Sequence, residues 1–103
     1  MRRGEVWWAN LHPPAGRRPV LLVSRDSTYG RRELVMIAPI STRIRHIRGE
    51  VLLGPADGLP RPCAANLDTL DSISKSQLDE PIGLLSEERL RAVNQALLYA
   101  LGL

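Results

Sequence analysis

Arg18-Pro19-Val20-Leu21-Leu22-Val23-Ser24 reads as a β-strand, a short apolar run with β-branched residues that is entered through a proline. Four more runs of this kind stand along the first three quarters of the chain: Glu5 to Asn10, Leu34 to Ile40, Glu50 to Leu53 and Ala64 to Ser72. Turn-forming residues separate them, at Pro13-Pro14-Ala15-Gly16, at Tyr29-Gly30, in the basic loop Arg43 to Gly49, and across Gly54 to Pro62. The period changes at the C-terminal end, where Leu90, Val93, Leu97, Leu98 and Leu101 fall on one stripe of a 3.6-residue helix. Ser86 suits its N-cap, Glu87 and Glu88 its positive end, and Gly102 its stop. A shorter helical turn over Lys75 to Glu80, ended by Pro81, is also expected. The pattern predicts an α+β fold that is mainly β: an antiparallel sheet of about five short strands curled into a small SH3-like barrel, one face closed by the C-terminal helix.

The chain has 103 residues and is 44% hydrophobic, enough for one modest core, so residues 1–103 are read as a single domain. No apolar run approaches the roughly 20 residues that span a bilayer, and Met1-Arg2-Arg3-Gly4-Glu5 turns polar where a signal peptide needs an apolar stretch. A cytoplasmic protein with no membrane partner is expected. Cys63 is the only cysteine, which excludes an internal disulfide and a cysteine-based zinc cage, and is read as a small buried apolar side chain. With only His12 and His46 beside it, no metal-ligand spacing appears, and no cofactor is expected.

The net charge of +3 is unevenly spread: residues 1–50 hold ten arginines against Glu5, Asp26, Glu33 and Glu50, whereas residues 51–103 hold four basic and seven acidic groups. Arginine's planar fork pairs with phosphate and stacks on bases, so this bias points to a polyanionic partner.

Arg3-Gly4-Glu5-Val6-Trp7-Trp8, the Arg18–Ser24 strand and Ala38-Pro39-Ile40-Ser41-Thr42 together resemble the MazF/PemK toxin family, in that family's order. The similarity continues through Gly58-Leu59-Pro60, Ala65-Asn66-Leu67-Asp68, Ile73-Ser74-Lys75 and Ile82-Gly83-Leu84-Leu85-Ser86, nearly the whole chain. The resemblance implies the CcdB/PemK-type barrel and a homodimeric, sequence-selective, metal-independent endoribonuclease. Such an enzyme cuts single-stranded RNA and is neutralised by a cognate antitoxin. RNA supplies its own nucleophile, the ribose 2′-hydroxyl. The protein must then take one proton, supply another to the leaving 5′-oxygen and stabilise the phosphorane.

Arg18 matches the family arginine that opens the RPV strand. The resemblance implies proton transfer, but a guanidinium with a pKa above about 12 is a poor base, which favours electrostatic stabilisation with proton donation as the alternative. Ser41 matches the hydroxyl residue after Pro-Ile, with Thr42 in reserve on the opposite face of an extended chain. Arg17, Arg25, Arg43, Arg45 and Arg48 are expected to grip RNA phosphates. Asp68 is either a general-base candidate or an anchor for the basic loop. Trp7 and Trp8 point to opposite sheet faces, which predicts one core ring and one exposed ring, the latter for stacking on a base or an antitoxin side chain or, equally, for dimer packing. Thr69 and Asp71 replace the glutamine and arginine of many relatives, and the Leu11–Arg17 connection is shorter. Two competing readings are a CcdB-like gyrase poison and a non-catalytic SH3-like RNA-binding module.

Overall fold

The computed structural model describes every residue from Met1 to Leu103. Seven strands and one helix follow in order: β1 (Glu5–Asn10), β2 (Arg17–Leu22), β3 (Leu34–Ser41), β4 (Glu50–Leu53), β5 (Cys63–Asn66), β6 (Asp71–Ser74), β7 (Leu78–Leu84) and α1 (Glu87–Ala100). All strand pairs are antiparallel, in the order β7-β1-β2-β3. At β3 the sheet forks. Leu34 to Ile37 pair with β6, whereas Ile40 and Ser41 pair with β5, which in turn pairs with β4. Pro39 sits between the two pairings and has no N–H to give a ladder, so the strand changes partner there.

The central strands bury both faces. Leu21, Val23, Ala38 and Ile40 face one cluster with Val93 and Ala96 of α1; Val20, Leu22, Val35 and Ile37 face a second with Ala9, Tyr29 and Ile73. Double burial explains why β2 and β3 are continuous apolar runs rather than alternating ones. Gly4 has φ +92 and stands where a Cβ would press on the Leu90 side chain, which lets the chain entering β1 meet α1 closely.

The structure departs from the sequence pattern in several places. The barrel is not closed: β4 and β7 are free edges, β4 lying beside α1 and β7 blunted by Pro81. An edge strand can dispense with one N–H, so Pro81 stands within β7 rather than stopping a helix, and the turn before it is only Lys75–Gln77. Ala64–Ser72 is two strands separated by a 3-10 turn, Leu67–Thr69, in which Asn66 Oδ1 accepts from the Asp68 N–H. In α1, Ser86 caps as expected, its Oγ accepting from the Arg89 N–H at 3.2 Å. Leu98 and Leu101, however, are exposed, and the buried turn is made by Val93 and Ala96. Cys63 is buried, as read.

Tyr29 donates its hydroxyl to the Ser24 carbonyl at 3.0 Å, and burial pushes its phenol from 10.0 up to about 12. A raised folded-state pKa contributes stability that is complete below pH 10 and lost as the pH rises towards 12, up to ~2 kcal/mol. Urea denaturation across this window is expected to show a steeper loss for the native protein than for Tyr29→Phe.

Candidate active site

Arg18 pairs with Ala9 across the β1–β2 ladder, and Ser41 pairs with Ala64 across β3–β5, so the sheet itself sets the two ends of the site. Between them opens a cleft of about 230 Å3 lined by Trp8, Arg17, Arg18, Ser41, Thr42 and Arg61 above a floor that includes Ile40, Leu59 and Cys63. No carboxylate lines it. Three guanidiniums around an apolar floor make a receptor for an anion carrying flat apolar groups, the composition of a nucleotide.

The three arginines are held differently. Arg18 donates through Nε to the Ala15 carbonyl at 2.9 Å, which fixes the base of the guanidinium and leaves its two terminal nitrogens to a ligand. Arg17 is paired with Asp79 at 3.0 Å and Glu80 at 3.7 Å, and its guanidinium lies 4.6 Å from the Trp8 ring centroid. Arg61 has no ion pair and no side-chain hydrogen bond, so its charge is uncompensated in the cleft. Arg61 was not singled out from sequence. It lies in the Gly54–Pro62 connection, and only the return of β5 beside β3 brings it opposite Arg18.

Ser41 also lines a neighbouring recess of about 460 Å3 with Arg43, Arg45, Glu50, Asn66 and Asp68. The two recesses therefore share the β3 terminus. Ser41 Oγ accepts from the Arg43 N–H at 3.1 Å, which leaves its own hydroxyl proton free to donate; the Thr42 hydroxyl has no protein partner, and both residues line the cleft. In the basic loop the Arg45 N–H donates to Glu50 Oε1 at 2.9 Å, and the Gly49 carbonyl accepts from the Leu67 N–H at 2.8 Å. A Cβ added at Gly49 would collide with the Asp68 carboxylate, which places Asp68 against the end of that loop.

Of the sequence candidates, Arg17, Arg18, Ser41 and Thr42 meet in the cleft, and Arg43, Arg45 and Asp68 meet in the adjoining recess. Arg25 and Arg48 join neither. Arg48 stacks on Tyr99 of α1, 4.4 Å from the ring centroid, and Arg25 stands beside Arg32 and Met36 in another recess. The tryptophans are both half-buried: Trp7 packs on the second core cluster and donates its Nε1 to Glu5 at 2.9 Å, while Trp8 walls the cleft. Burial, with a smaller contribution from Asp57, raises the Cys63 thiol and keeps it protonated at the cleft floor.

The profile of PemK-like, MazF-like toxins of type II toxin–antitoxin systems matches residues 2–101. The chain belongs to this family. It is similar to the probable endoribonuclease MazF5 of Mycobacterium tuberculosis, with 43% identity over 92% of this chain and 87% of that protein. Endoribonuclease MazF9 of the same organism is 32% identical over 94% of this chain and 92% of its own. Among solved structures, the M. tuberculosis toxin MazF-mt6 superimposes with a TM-score of 0.89 at 28% identity, covering 96% of this chain and 97% of that one. A mycobacterial endoribonuclease in complex with its cognate antitoxin superimposes with a TM-score of 0.88 at 28% identity, covering 100% and 96%. The barrel's open form is thus the family's fold as this chain builds it.

Gly49→Ala is expected to turn the exposed Asp68 side chain aside at a cost below about 1 kcal/mol, since only the far end of that side chain stands in the way. Thermal denaturation measures the cost; a loss above about 2 kcal/mol would show that the loop backbone must move as well.

Proposed function

We propose that this PemK/MazF-family toxin is a sequence-selective endoribonuclease that cleaves single-stranded RNA by attack of the ribose 2′-hydroxyl on the adjacent phosphorus. The observation that carries the reading is the cleft in which Arg18, Arg61 and the Thr42 hydroxyl converge with no carboxylate among them. The names of the mycobacterial relatives, which are endoribonucleases, support it.

The O2′–P bond forms as the P–O5′ bond breaks, the 2′-hydroxyl proton passing to solvent water and another proton reaching the departing O5′, leaving a 2′,3′-cyclic phosphate and a 5′-hydroxyl. Charge accumulates on the nonbridging phosphoryl oxygens on the way. Arg18, already held by Ala15, presents its terminal nitrogens to that charge without reorganising, which is how a fixed donor favours the transition state over the ground state. The same guanidinium can donate to the departing 5′-oxygen. Ser41, whose Oγ accepts from the Arg43 N–H and keeps its own proton, offers a hydroxyl to a phosphoryl oxygen, and the unpartnered Thr42 hydroxyl beside it is the alternative donor. Trp8 supplies a stacking face for a base at the cleft wall, and Arg43 and Arg45 hold phosphates in the adjoining recess. Asp68 positions the loop that carries them. The chain acts in the cytoplasm as one domain over 1–103, as a homodimer. It is restrained by a cognate antitoxin, a reading supported by the neighbour solved with its own.

Incubation with a long single-stranded RNA in EDTA is expected to give discrete fragments with 2′,3′-cyclic phosphate and 5′-hydroxyl ends, and Arg18→Ala to lower kcat by roughly 10²–10³. No cutting across RNAs of varied sequence would overturn the reading. Arg61→Ala is expected to act differently, raising KM and lowering the salt dependence of binding by about one phosphate contact while kcat stays within a few-fold. A kcat loss as large as that of Arg18→Ala would instead put Arg61 on the reacting phosphoryl group.

A further inference from the structure

Arg25, Arg31 and Arg32 form a second cationic group that the cleft does not use. The four ion pairs of the structure engage only the N-terminus, Arg17 and Arg89, so none of these three charges is paired. Asp26, which accepts from the Arg3 N–H at 2.6 Å, and Glu33, which accepts from the Ser74 hydroxyl, keep their charge but pair with none of the three, so residues 25–33 carry three positive charges against two negative. Arg25 and Arg32 line a recess of about 230 Å3 with Leu34, Met36 and Ser72.

The apolar part of this surface is the outer half of β3. Leu34 is 61% exposed and Met36 46% exposed, two residues apart and therefore on one face, roughly 7 Å from each other. Their cross-strand partners on β6 are Ser74 and Ser72, the smallest side chains that could stand there short of alanine and glycine, so nothing covers the leucine and the methionine from that side. Met36 also belongs to the residue type that adapts best to an irregular partner surface. Two exposed apolar side chains on a rigid strand, bordered by unpaired arginines, are a combination that solvation does not explain. Arginine with Met or Leu is instead what protein-recognising surfaces concentrate.

We infer that the Arg25–Arg32 and Leu34–Met36 face of β3 is a docking surface for a protein segment in which acidic residues alternate with apolar ones. Charge complementarity selects the acidic residues, and the Leu34–Met36 pair selects the apolar ones. RNA is the less suitable occupant, because no aromatic ring stands here to stack a base and the apolar pair would face sugar and phosphate. The surface is separate from the cleft and shares no lining residue with it or with the recess beside it. Docking there leaves the cleft's residues uncovered.

The test is fluorescence anisotropy of the intact protein with a short labelled peptide of alternating aspartate and leucine, and with two controls in which serine replaces leucine or lysine replaces aspartate. Saturable binding of the first peptide is expected, with little binding of either control. Arg32→Glu, Leu34→Ser and Met36→Ser are each expected to weaken it about tenfold. All three positions are on the surface, so the variants should fold, which circular dichroism verifies. Absence of saturable binding to the native protein, or equal binding by the variants, overturns the inference. Displacement of the peptide by a labelled single-stranded RNA that binds the native protein but not Arg32→Glu would make the face an RNA track instead. A fall in sedimenting mass for Leu34→Ser with peptide binding intact would make it a contact between copies of the chain. None of these readouts depends on RNA cleavage, so the ribonuclease reading stands or falls separately.

Discussion

The fork in β3 is the constraint on which the rest of the molecule depends. The strand must feed two ladders, β6 along its first half and β5 at its end, and it can do so because Pro39 interrupts hydrogen bonding at the point of change. β2 meanwhile pairs with it through Val20, Leu21 and Leu22, giving apolar side chains to both faces. Burial on both sides holds the register, since a slip by one residue would exchange the two clusters and leave neither filled. With β3 so held, its last residue Ser41 and the following Thr42 are brought to the cleft that Arg18 lines, Ser41 also reaching the recess beside it.

From that placement follows the character of the cleft. Its cations come from two distant parts of the chain and are restrained to different degrees: Arg17 by two carboxylates and an indole, Arg18 by one carbonyl, Arg61 by nothing. A guanidinium that is held before the ligand arrives contributes through preorganisation, whereas a free one contributes mainly long-range attraction. On the proposed function, the difference would put Arg18 at the reacting phosphoryl group and Arg61 in capture of the strand. Asp68 stands against Gly49 at the end of the basic loop, and Ser41 lines both the cleft and the adjoining recess, where Arg43 and Arg45 stand with Glu50 and Asp68.

Much of this was legible in the chain. The strands β1, β3 and β4 stand within a residue of the apolar runs that announce them, and Ser86 caps the helix as its position suggests. The elements that escaped are those whose residues answer to neighbours rather than to local preference. β7 carries Asp79, Glu80, Pro81 and Gly83, which alone suggest a turn, and is extended because it completes the edge beside β1. Leu98 and Leu101 sit on a helical stripe, yet β4 and the Leu67–Thr69 turn cover only the part of α1 that includes Val93 and Ala96. Arg25 and Arg48 carry the same charge as the cleft arginines and differ from them only in where the chain takes them.

By itself the sequence determined the alternation of strand and turn, the single C-terminal helix, the family, and the uneven spread of arginine. These properties are local: they depend on β-branching, turn residues, helical period and short motifs, all carried by short stretches. Only the tertiary structure decided that the barrel stays open, that Arg61 joins Arg18 in one cleft across some forty positions of chain, and that Ser41 and Thr42 both line that cleft. Those outcomes depend on which strand pairs with which, and on where a proline removes one hydrogen bond from a ladder. Such pairings are settled by the simultaneous burial of two apolar clusters, a condition on the whole chain that no short segment can express.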